Sequence, residues 1–135
     1  MVNQQFAFAV HIVAMLAYSG ETLDSRTIAT SIKTNPVVVR RLLLALRKAG
    51  LISTITGKNG GATLAKPPNQ ISLLDIFEAV QSRDLIAPNR RNALKRCPVS
   101  CSMKGIMVEV SQGSERAIRK HLGGVTLNQV VRKIR

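Results

Sequence analysis

The order of predicted elements in this 135-residue chain predicts a mainly α-helical fold with a small β-hairpin wing. Three observations predict it. An amphipathic helix over about 36–48 follows a shorter helix, a glycine-rich turn then joins two β-branched runs, and a long helix lies near the C-terminus. Two short helices followed by a hairpin with a small-residue tip are typical of a winged helix-turn-helix.

The first two helices are predicted from burial and capping signals. Apolar residues crowd all sides of the segment 6–16, as in a buried helix, and Gly20 supplies a C-terminal cap. Asp24 or Ser25 can cap a short second helix that carries Ile28 and other apolar side chains inward.

The third helix and the hairpin have the clearest signals. Asn35 suits the N-cap, Pro36 suits the first helical position, and Gly50 ends the helix. Its inward positions recur at helical spacing: Val39, Leu42, Leu43 and Leu46. A β-branched run over 51–56, a Gly-rich turn over 57–61 and a return strand over 62–65 then predict the wing.

The remaining elements are a helix from about Ser72, a basic loop over 82–96, a long helix from Cys97 or Pro98 toward Lys120, and a closing helix over 126–134. Gly123 and Gly124 are expected to separate the last two helices. We therefore divide the chain into a DNA-binding domain over 1–81, a loop containing Cys97 over 82–100, and a dimerisation helix with the C-terminal helix over 101–135.

Charge indicates the class of partner. The chain has 20 Lys and Arg against 7 Asp and Glu, a formal net charge of +13. Between Asp24 and Asp75 there are eight bases and no acid. A polyanion is the expected partner, with nucleic acid first. Three Phe, one Tyr and no Trp make stacking of single-stranded bases improbable, which favours a duplex.

Several classes of protein are excluded. No nucleophile–base pair or carboxylate pair stands out, and the turn over 57–61 lacks the Lys-Ser/Thr of a phosphate-binding loop, so we expect no enzyme, catalytic site or metal site. Two cysteines make no disulfide framework. The apolar segment 6–18 is too short for a membrane span and lacks a basic stretch before it. A cytoplasmic protein is the expectation.

Three runs carry a family resemblance: AGLI at 49–52, GKNGGATLA at 57–65 and ISLLDIFEAV at 71–80. They resemble the wing-and-helix signature of the Rrf2 (BadM-type) bacterial transcription regulators, which include IscR, NsrR and CymR. The stretches 34–41 and 97–99 resemble the YwnA-like members. Two positions depart from the signature, because Ala62 replaces a tyrosine and Thr56 replaces a frequent arginine.

The resemblance implies a homodimer whose long helices cross, bound to a partly palindromic operator on the bacterial nucleoid, usually as a repressor. It places Val37, Arg40 and Arg41 toward base edges. An arginine there can contact guanine through two hydrogen bonds, and a valine can pack on a thymine methyl. The alternative is that both arginines touch only phosphate or solvent.

The other predicted DNA contacts are to the backbone. The start of the second helix can hold a phosphate, although capping explains Ser25 equally well. At the wing tip, turn geometry explains the Gly and Asn residues but not the Lys, so the Lys is the better candidate for a DNA contact. We expect the side chains of Arg47 and Lys48 to be solvated or to lie near the DNA backbone. The complete predicted set is Ser25, Arg26, Thr27, Val37, Arg40, Arg41, Lys58 and Asn59.

The cysteines bear on cofactor and signal. Cluster-binding relatives use three cysteines, and this chain has only Cys97 and Cys101. One monomer cannot supply the family's ligands, so no iron–sulfur cluster or other cofactor is expected, although a cluster shared across a dimer stays open. The stronger hypothesis is a redox switch. On a helix the Cα atoms of residues four apart lie roughly 6 Å from each other, which is within the range of a disulfide. The alternative is that both cysteines only pack at the dimer interface.

The long helix carries the predicted dimer contacts, which lie near a 3–4 repeat: Met103, Met107, Val110 and Ala117. The sequence therefore predicts a homodimeric, sequence-specific, duplex-DNA-binding regulator with an unidentified effector. The rival readings are a sequence-tolerant nucleic-acid packaging or RNA-binding protein, and a sensor acting through a protein partner.

Overall fold

The computed structural model describes residues 4–81 and 85–135. Contacts within the chain divide the described residues into two compact units. Unit 1 comprises 4–81 and 122–135, and unit 2 comprises 85–121. The predicted three-part functional division stays a prediction. In the described part of the chain no helix combines the length and apolarity that crossing a membrane requires.

The chain contains six α-helices and two strands within its described residues. The helices are α1 Gln5–Ser19, α2 Ser25–Ile32, α3 Pro36–Lys48, α4 Leu73–Val80, α5 Pro98–Gly123 and α6 Leu127–Val131. The strands are β1 Ile52–Ile55 and β2 Gly61–Leu64, and a short 3-10 turn occupies Pro68–Gln70. The mainly α fold with a β-hairpin and a C-terminal helix is confirmed.

Local side-chain caps fix the helix starts of unit 1. The Asp24 carboxylate accepts from the Thr27 N–H at 2.7 Å, which makes Asp24 rather than Ser25 the cap of α2. The Asn35 side chain accepts from the Val37 N–H at 2.8 Å, as predicted for α3. Ser72 and Asp75 form a reciprocal capping box at the start of α4.

The hairpin is tied to the segment between α1 and α2. Strands β1 and β2 pair antiparallel with Ile52 opposite Leu64. Leu23 adds a bridge to β2, exchanging two backbone hydrogen bonds with Ala62 at 2.8 and 3.0 Å. A Cβ at Gly61 would collide with the Leu23 carbonyl, so this close approach requires glycine. The wing is therefore fixed to the base of α2.

The core of unit 1 lies among helices α1 to α4, the hairpin and α6. Phe6 and Phe77 meet edge to face with ring centroids 5.5 Å apart. The imidazole Nε2 of His11 lies 2.9 Å from the Ser31 hydroxyl and links α1 to α2. The largest fully buried side chains are Ile12, Ile28, Leu46, Leu51, Ile71, Ile76 and Leu127.

The C-terminal elements differ from the prediction in two respects. Helix α5 continues through Gly123, and Gly124 follows its end. The closing helix begins at Leu127, after its cap Thr126, and ends at Val131 instead of Ile134. The reason is that Lys133 and Ile134 donate to carbonyls three residues back, which converts the last turn to a tighter geometry.

Unit 2 is an irregular segment followed by most of α5. The Ser111 hydroxyl donates to the Ile86 carbonyl at 3.2 Å and holds this segment on the helix. The Leu94 N–H donates to the Ser100 hydroxyl at 2.8 Å. No side chain between 85 and 121 is buried, and several apolar ones are more than a third exposed: Leu94, Val99, Met103, Ile106, Val108, Val110 and Ile118.

Candidate nucleic-acid interface

Helices α2 and α3 form a helix-turn-helix, and one side of α3 is exposed. Helix α2 ends at Ile32 and is followed by its C-cap Lys33, which adopts a left-handed conformation with φ 66°; Asn35 then caps the start of α3. The inward side of α3 is buried, as predicted. Its outward side carries the exposed Arg40 and Arg41 beside Val37, which is 51% exposed. Such a helix face fits the major groove of duplex DNA.

An open groove of about 480 Å³ separates α3 from the wing. Arg40 and Arg47 line it from α3, together with the partly exposed Leu44, and Ile55 lines it from β1. Asp24 and Ser25 line it at the base of α2. The groove therefore combines two guanidinium groups with aliphatic side chains.

The start of α2 provides fewer free donors than the sequence suggests. The Thr27 N–H is already hydrogen-bonded to Asp24. That bond, with a second from the Thr27 side chain, lowers the pKa of the Asp24 carboxyl below its ordinary value. Arg26 and Thr27 are exposed, and Ser25 is half-buried beside the groove. The side chains of Ser25 and Arg26, rather than the Thr27 donors, are therefore the groups that this helix start can offer a phosphate.

The wing tip is exposed and its conformation is set by its turn residues. Asn59 has φ 68° and Gly57 has φ 94°. Asn59 thus satisfies a left-handed turn position that Asn tolerates, whatever else it does. Lys58 is exposed and has no such conformational role.

The structure brings Ser25 and Arg40 to one groove and places Arg41 outside its lining. Several groove-lining residues are missing from the predicted set, among them Arg47 and Leu44 on α3. Arg47 follows Arg40 by seven residues and Leu44 follows Val37 by seven, so each pair shares a side of α3. This seven-residue spacing is the feature of the sequence from which Arg47 and Leu44 could have been predicted.

The two cysteines lie at the start of α5 in unit 2. The half-buried Cys97 Sγ accepts from the Ser100 N–H at 3.5 Å, the position of a helix cap. The exposed Cys101 thiol donates to the carbonyls of Leu94 and Lys95, each at 3.5 Å. Over residues 4–81 and 85–135, no three His, Cys, Asp or Glu side chains are grouped to hold a metal ion.

Fold and site together define a winged helix-turn-helix DNA-binding regulator, and comparison with known proteins identifies its family. Residues 2–133 match the family profile described as "Rrf2: Iron-dependent Transcriptional regulator". YwnA of Bacillus subtilis (strain 168), named as an HTH-type transcriptional regulator, is 34% identical over 131 residues, 97% of each chain. YffB of Lactococcus lactis, similarly named, is 27% identical, covering 90% of this chain and 81% of YffB.

Solved structures include several with a fold similar to that of this chain. A crystal structure described as that of a DNA-binding protein is 33% identical with a TM-score of 0.74, covering 93% of this chain and 97% of that one. CymR of B. subtilis, described as the global cysteine regulator, has 20% identity and a TM-score of 0.70, covering 100% and 98%. T. potens IscR has 20% identity and a TM-score of 0.71, covering 98% and 86%. The last two show the fold alone.

The chain belongs to the Rrf2 family of DNA-binding transcription regulators. The predicted family and its resemblance to YwnA are confirmed, and its relatives are regulators rather than enzymes, as expected. The family description names iron, but the described residues of one chain do not by themselves supply the ligands of an iron–sulfur cluster. The whole sequence has two cysteines, and both thiols make hydrogen bonds within their own segment.

Proposed function

We propose that this chain is a homodimeric repressor that binds a partly palindromic operator on the bacterial nucleoid. The observation that carries the proposal is the exposed face of α3 beside the wing, within a stretch that has no acid between Asp24 and Asp75. A basic helix that fits the major groove, flanked by a basic hairpin tip, supplies both base-reading and backbone contacts.

Base reading is assigned to the N-terminal half of α3. Val37 packs on a thymine methyl, and Arg40 or Arg41 donates two hydrogen bonds to a guanine, which discriminates by about 1–3 kcal/mol. The wing tip residues Lys58 and Asn59 contact the backbone. The start of α2 adds further phosphate contacts, mainly through the side chains of Ser25 and Arg26.

Dimerisation is assigned to α5. Met103 and Val110 are 41% and 47% exposed, and they lie seven residues apart on the same side of the helix. Apolar side chains left uncovered along a helix are typical of an interface that a second copy covers. The N-terminal helix can join it, because an apolar groove of about 430 Å³ runs between α1 and α6. A twofold dimer presents its two recognition helices about one DNA turn apart.

Modulation by thiol oxidation is assigned to Cys97 and Cys101. Two thiols and one peroxide give one disulfide and two waters. Cys97 caps α5 through the Ser100 N–H, and the Cys101 thiol is bonded to two carbonyls. A disulfide therefore breaks the first turn of the dimerisation helix. Oxidation is expected to weaken operator binding by disturbing the spacing of the recognition helices.

Selection of bound sites from random duplex DNA tests the proposal. The reduced protein is expected to enrich a site with two related half-sites, and peroxide-treated protein to bind it less tightly. Replacing both Cys97 and Cys101 by Ser should remove the peroxide effect. Unchanged affinity after peroxide treatment excludes the switch and leaves DNA recognition intact.

Substitutions distinguish base-reading residues from backbone-contacting residues at the DNA interface. Arg40→Ala combined with Arg41→Ala is expected to abolish the preference for the selected site, whereas Lys58→Ala should weaken all duplexes similarly. Equal loss of specific and non-specific binding in the double variant contradicts base reading by α3. A steep salt dependence without any sequence preference favours the rival packaging function.

A further inference from the structure

We infer that a cavity in unit 2, between the irregular segment over 85–97 and the first turns of α5, binds a small organic anion through Arg91 and Lys104. The cavity measures about 400 Å³, a size typical of sites for small molecules. The inference goes beyond the proposed function and does not depend on it, because it concerns a part of the chain to which no DNA contact is assigned.

The charged groups at the cavity are cationic. Arg91 lines it from the irregular segment and Lys104 lines it from α5, and both side chains are exposed. Among the described residues that line it there is no Asp or Glu. A carboxylate or phosphate in the cavity can therefore pair with a guanidinium fork and with an ammonium point charge.

The surrounding sequence has the same sign of charge. Residues 85–108 contain five Lys or Arg and no Asp or Glu. This acid-free stretch is separate from the one between Asp24 and Asp75, and it belongs to unit 2. Mixed charges would serve solubility better, so a cationic surface that DNA binding does not explain indicates another anionic partner.

The uncharged part of the lining indicates that the anion has an organic part. Val99, which is 64% exposed, lines the cavity together with Ala93, and both offer apolar contact area. The side-chain amides of Asn89 and Asn92 add hydrogen-bond donors. Apolar side chains with a few polar groups among them are typical of sites for small organic molecules.

Hydrogen bonds hold the two walls of the cavity together. The Leu94 N–H donates to the Ser100 hydroxyl at 2.8 Å, and the Cys101 thiol donates to the Leu94 carbonyl at 3.5 Å. The Asn89 side chain accepts from the Arg91 N–H at 3.1 Å and fixes the local turn that carries Arg91. Because the walls are joined before a ligand arrives, binding requires little ordering of the chain.

Cys97 provides a chemical reporter inside the cavity. Its half-buried thiol is part of the lining, whereas the exposed Cys101 is not. A lining with two cations and one thiol suits an anion and disfavours a metal cation. An anionic thiol reagent should therefore be favoured at Cys97 over a neutral reagent of similar size.

Alkylation of the full-length protein without DNA tests the site, with iodoacetate and iodoacetamide as the probes. Both reagents release iodide and transfer groups of similar size, but only iodoacetate is anionic. Single-thiol variants isolate each reaction, Cys101→Ser for Cys97 and Cys97→Ser for Cys101. The ratio of the iodoacetate rate to the iodoacetamide rate should be at least about threefold higher at Cys97 than at Cys101.

Substitution of the lining cations, in the Cys101→Ser background, assigns that preference to the cavity. Arg91→Ala and Lys104→Ala should each lower the ratio at Cys97, and together they should remove the excess. Arg91→Lys keeps the charge and should retain most of the ratio. Lys95→Ala is the matched control, since Lys95 is an exposed cation of the same segment that does not line the cavity, and it should leave the ratio unchanged.

Protection experiments identify the anionic group of the ligand. Succinate and pyrophosphate are added separately at fixed ionic strength, and the alkylation of Cys97 by iodoacetamide is followed. Saturable protection by succinate alone indicates a carboxylate ligand, by pyrophosphate alone a phosphate ligand, and by both a site that accepts either group. Each protection should be lost when Arg91→Ala and Lys104→Ala are combined.

Three results overturn the inference: equal ratios at the two thiols, a loss in Lys95→Ala as large as that in Arg91→Ala, or protection by neither anion. None of these measurements contains DNA. A failure of the anion site is therefore distinct from a lack of sequence preference in DNA binding, which overturns the proposed function instead.

Discussion

Unit 1 buries a continuous apolar core, whereas the described residues of unit 2, 85–121, bury no side chain. Both units carry exposed apolar residues, but the residues that surround them differ. In unit 1, Leu44 and Ile55 line the groove beside the wing together with Arg40 and Arg47, and Val37 lies on the exposed side of α3. In unit 2, the exposed apolar side chains recur along α5.

The difference indicates two kinds of stability. A core such as that around Leu46 holds unit 1 together from within one chain. Helix α5 has little apolar burial of its own in unit 2, so in the proposed dimer a second copy is expected to supply the surface that stabilises it. DNA reading is therefore assigned to the self-sufficient unit and dimerisation to the dependent one.

The largest expected effect comes from charging the apolar side of α5. Met103→Glu combined with Val110→Glu should convert the proposed dimer to a monomer in sedimentation experiments, because two carboxylates cannot be buried unpaired. Affinity for a two-half-site operator should fall 100-fold or more with the loss of bivalent binding. Lys104→Gln combined with Gln112→Glu makes the same net charge change on exposed polar positions and should remain dimeric. A dimeric double-Glu variant contradicts the assigned interface.

The next effect lies in the core of unit 1. Leu46→Ala should lower the free energy of unfolding in urea by about 2–5 kcal/mol, since Leu46 is fully buried and a cavity remains. Leu44→Ala, two residues away on the exposed side, should change it by less than about 0.5 kcal/mol. Similar losses for the two variants would show that α3 is not packed as described.

A smaller effect is expected at the start of α4. Ser72→Ala removes the cap that accepts the Asp75 N–H at 3.0 Å, and should cost about 1 kcal/mol of unfolding free energy. Ser72→Asp retains a side-chain acceptor and should restore most of the loss. If Ser72→Asp is as unstable as Ser72→Ala, the capping explanation is wrong.

The smallest effect is a pH dependence at Asp24. Its pKa is lowered in the folded state, chiefly by the Thr27 N–H, so the ionised form stabilises folding. That contribution is complete above the unfolded pKa near 3.8 and is lost as the pH falls through the lower folded value. Asp24→Asn keeps a capping side chain but does not titrate. Urea midpoints between pH 5 and 3 should decline less steeply in this variant than in the wild type.

The local parts of the fold were predictable because their signals are local. Asn35, Pro36 and Gly50 bracket α3 within a residue or two of its observed bounds, and the glycines of the hairpin predict its turn. A capping residue next to a periodic apolar run specifies a helix start without any information from distant parts of the chain.

The remaining features depend on contacts between distant residues. The bridge from Leu23 to Ala62 has no periodic signal, and it explains why the hairpin needs Gly61. The packing of Leu127 in the core of unit 1 is likewise set by residues far away in sequence. At the site, periodicity indicated the outward side of α3, but assigning Arg47 to the groove required the position of the wing.

The central claim is that α3, flanked by the wing, reads a specific duplex sequence. The most direct measurement is the ratio of affinities for the selected operator and a scrambled duplex of equal length, at one fixed salt concentration. The account predicts a ratio of about 1,000 or more, typical of specific regulators. The ratio is also expected to fall towards one in Arg40→Ala combined with Arg41→Ala. A wild-type ratio near one contradicts the account, because it would leave only charge to explain the binding.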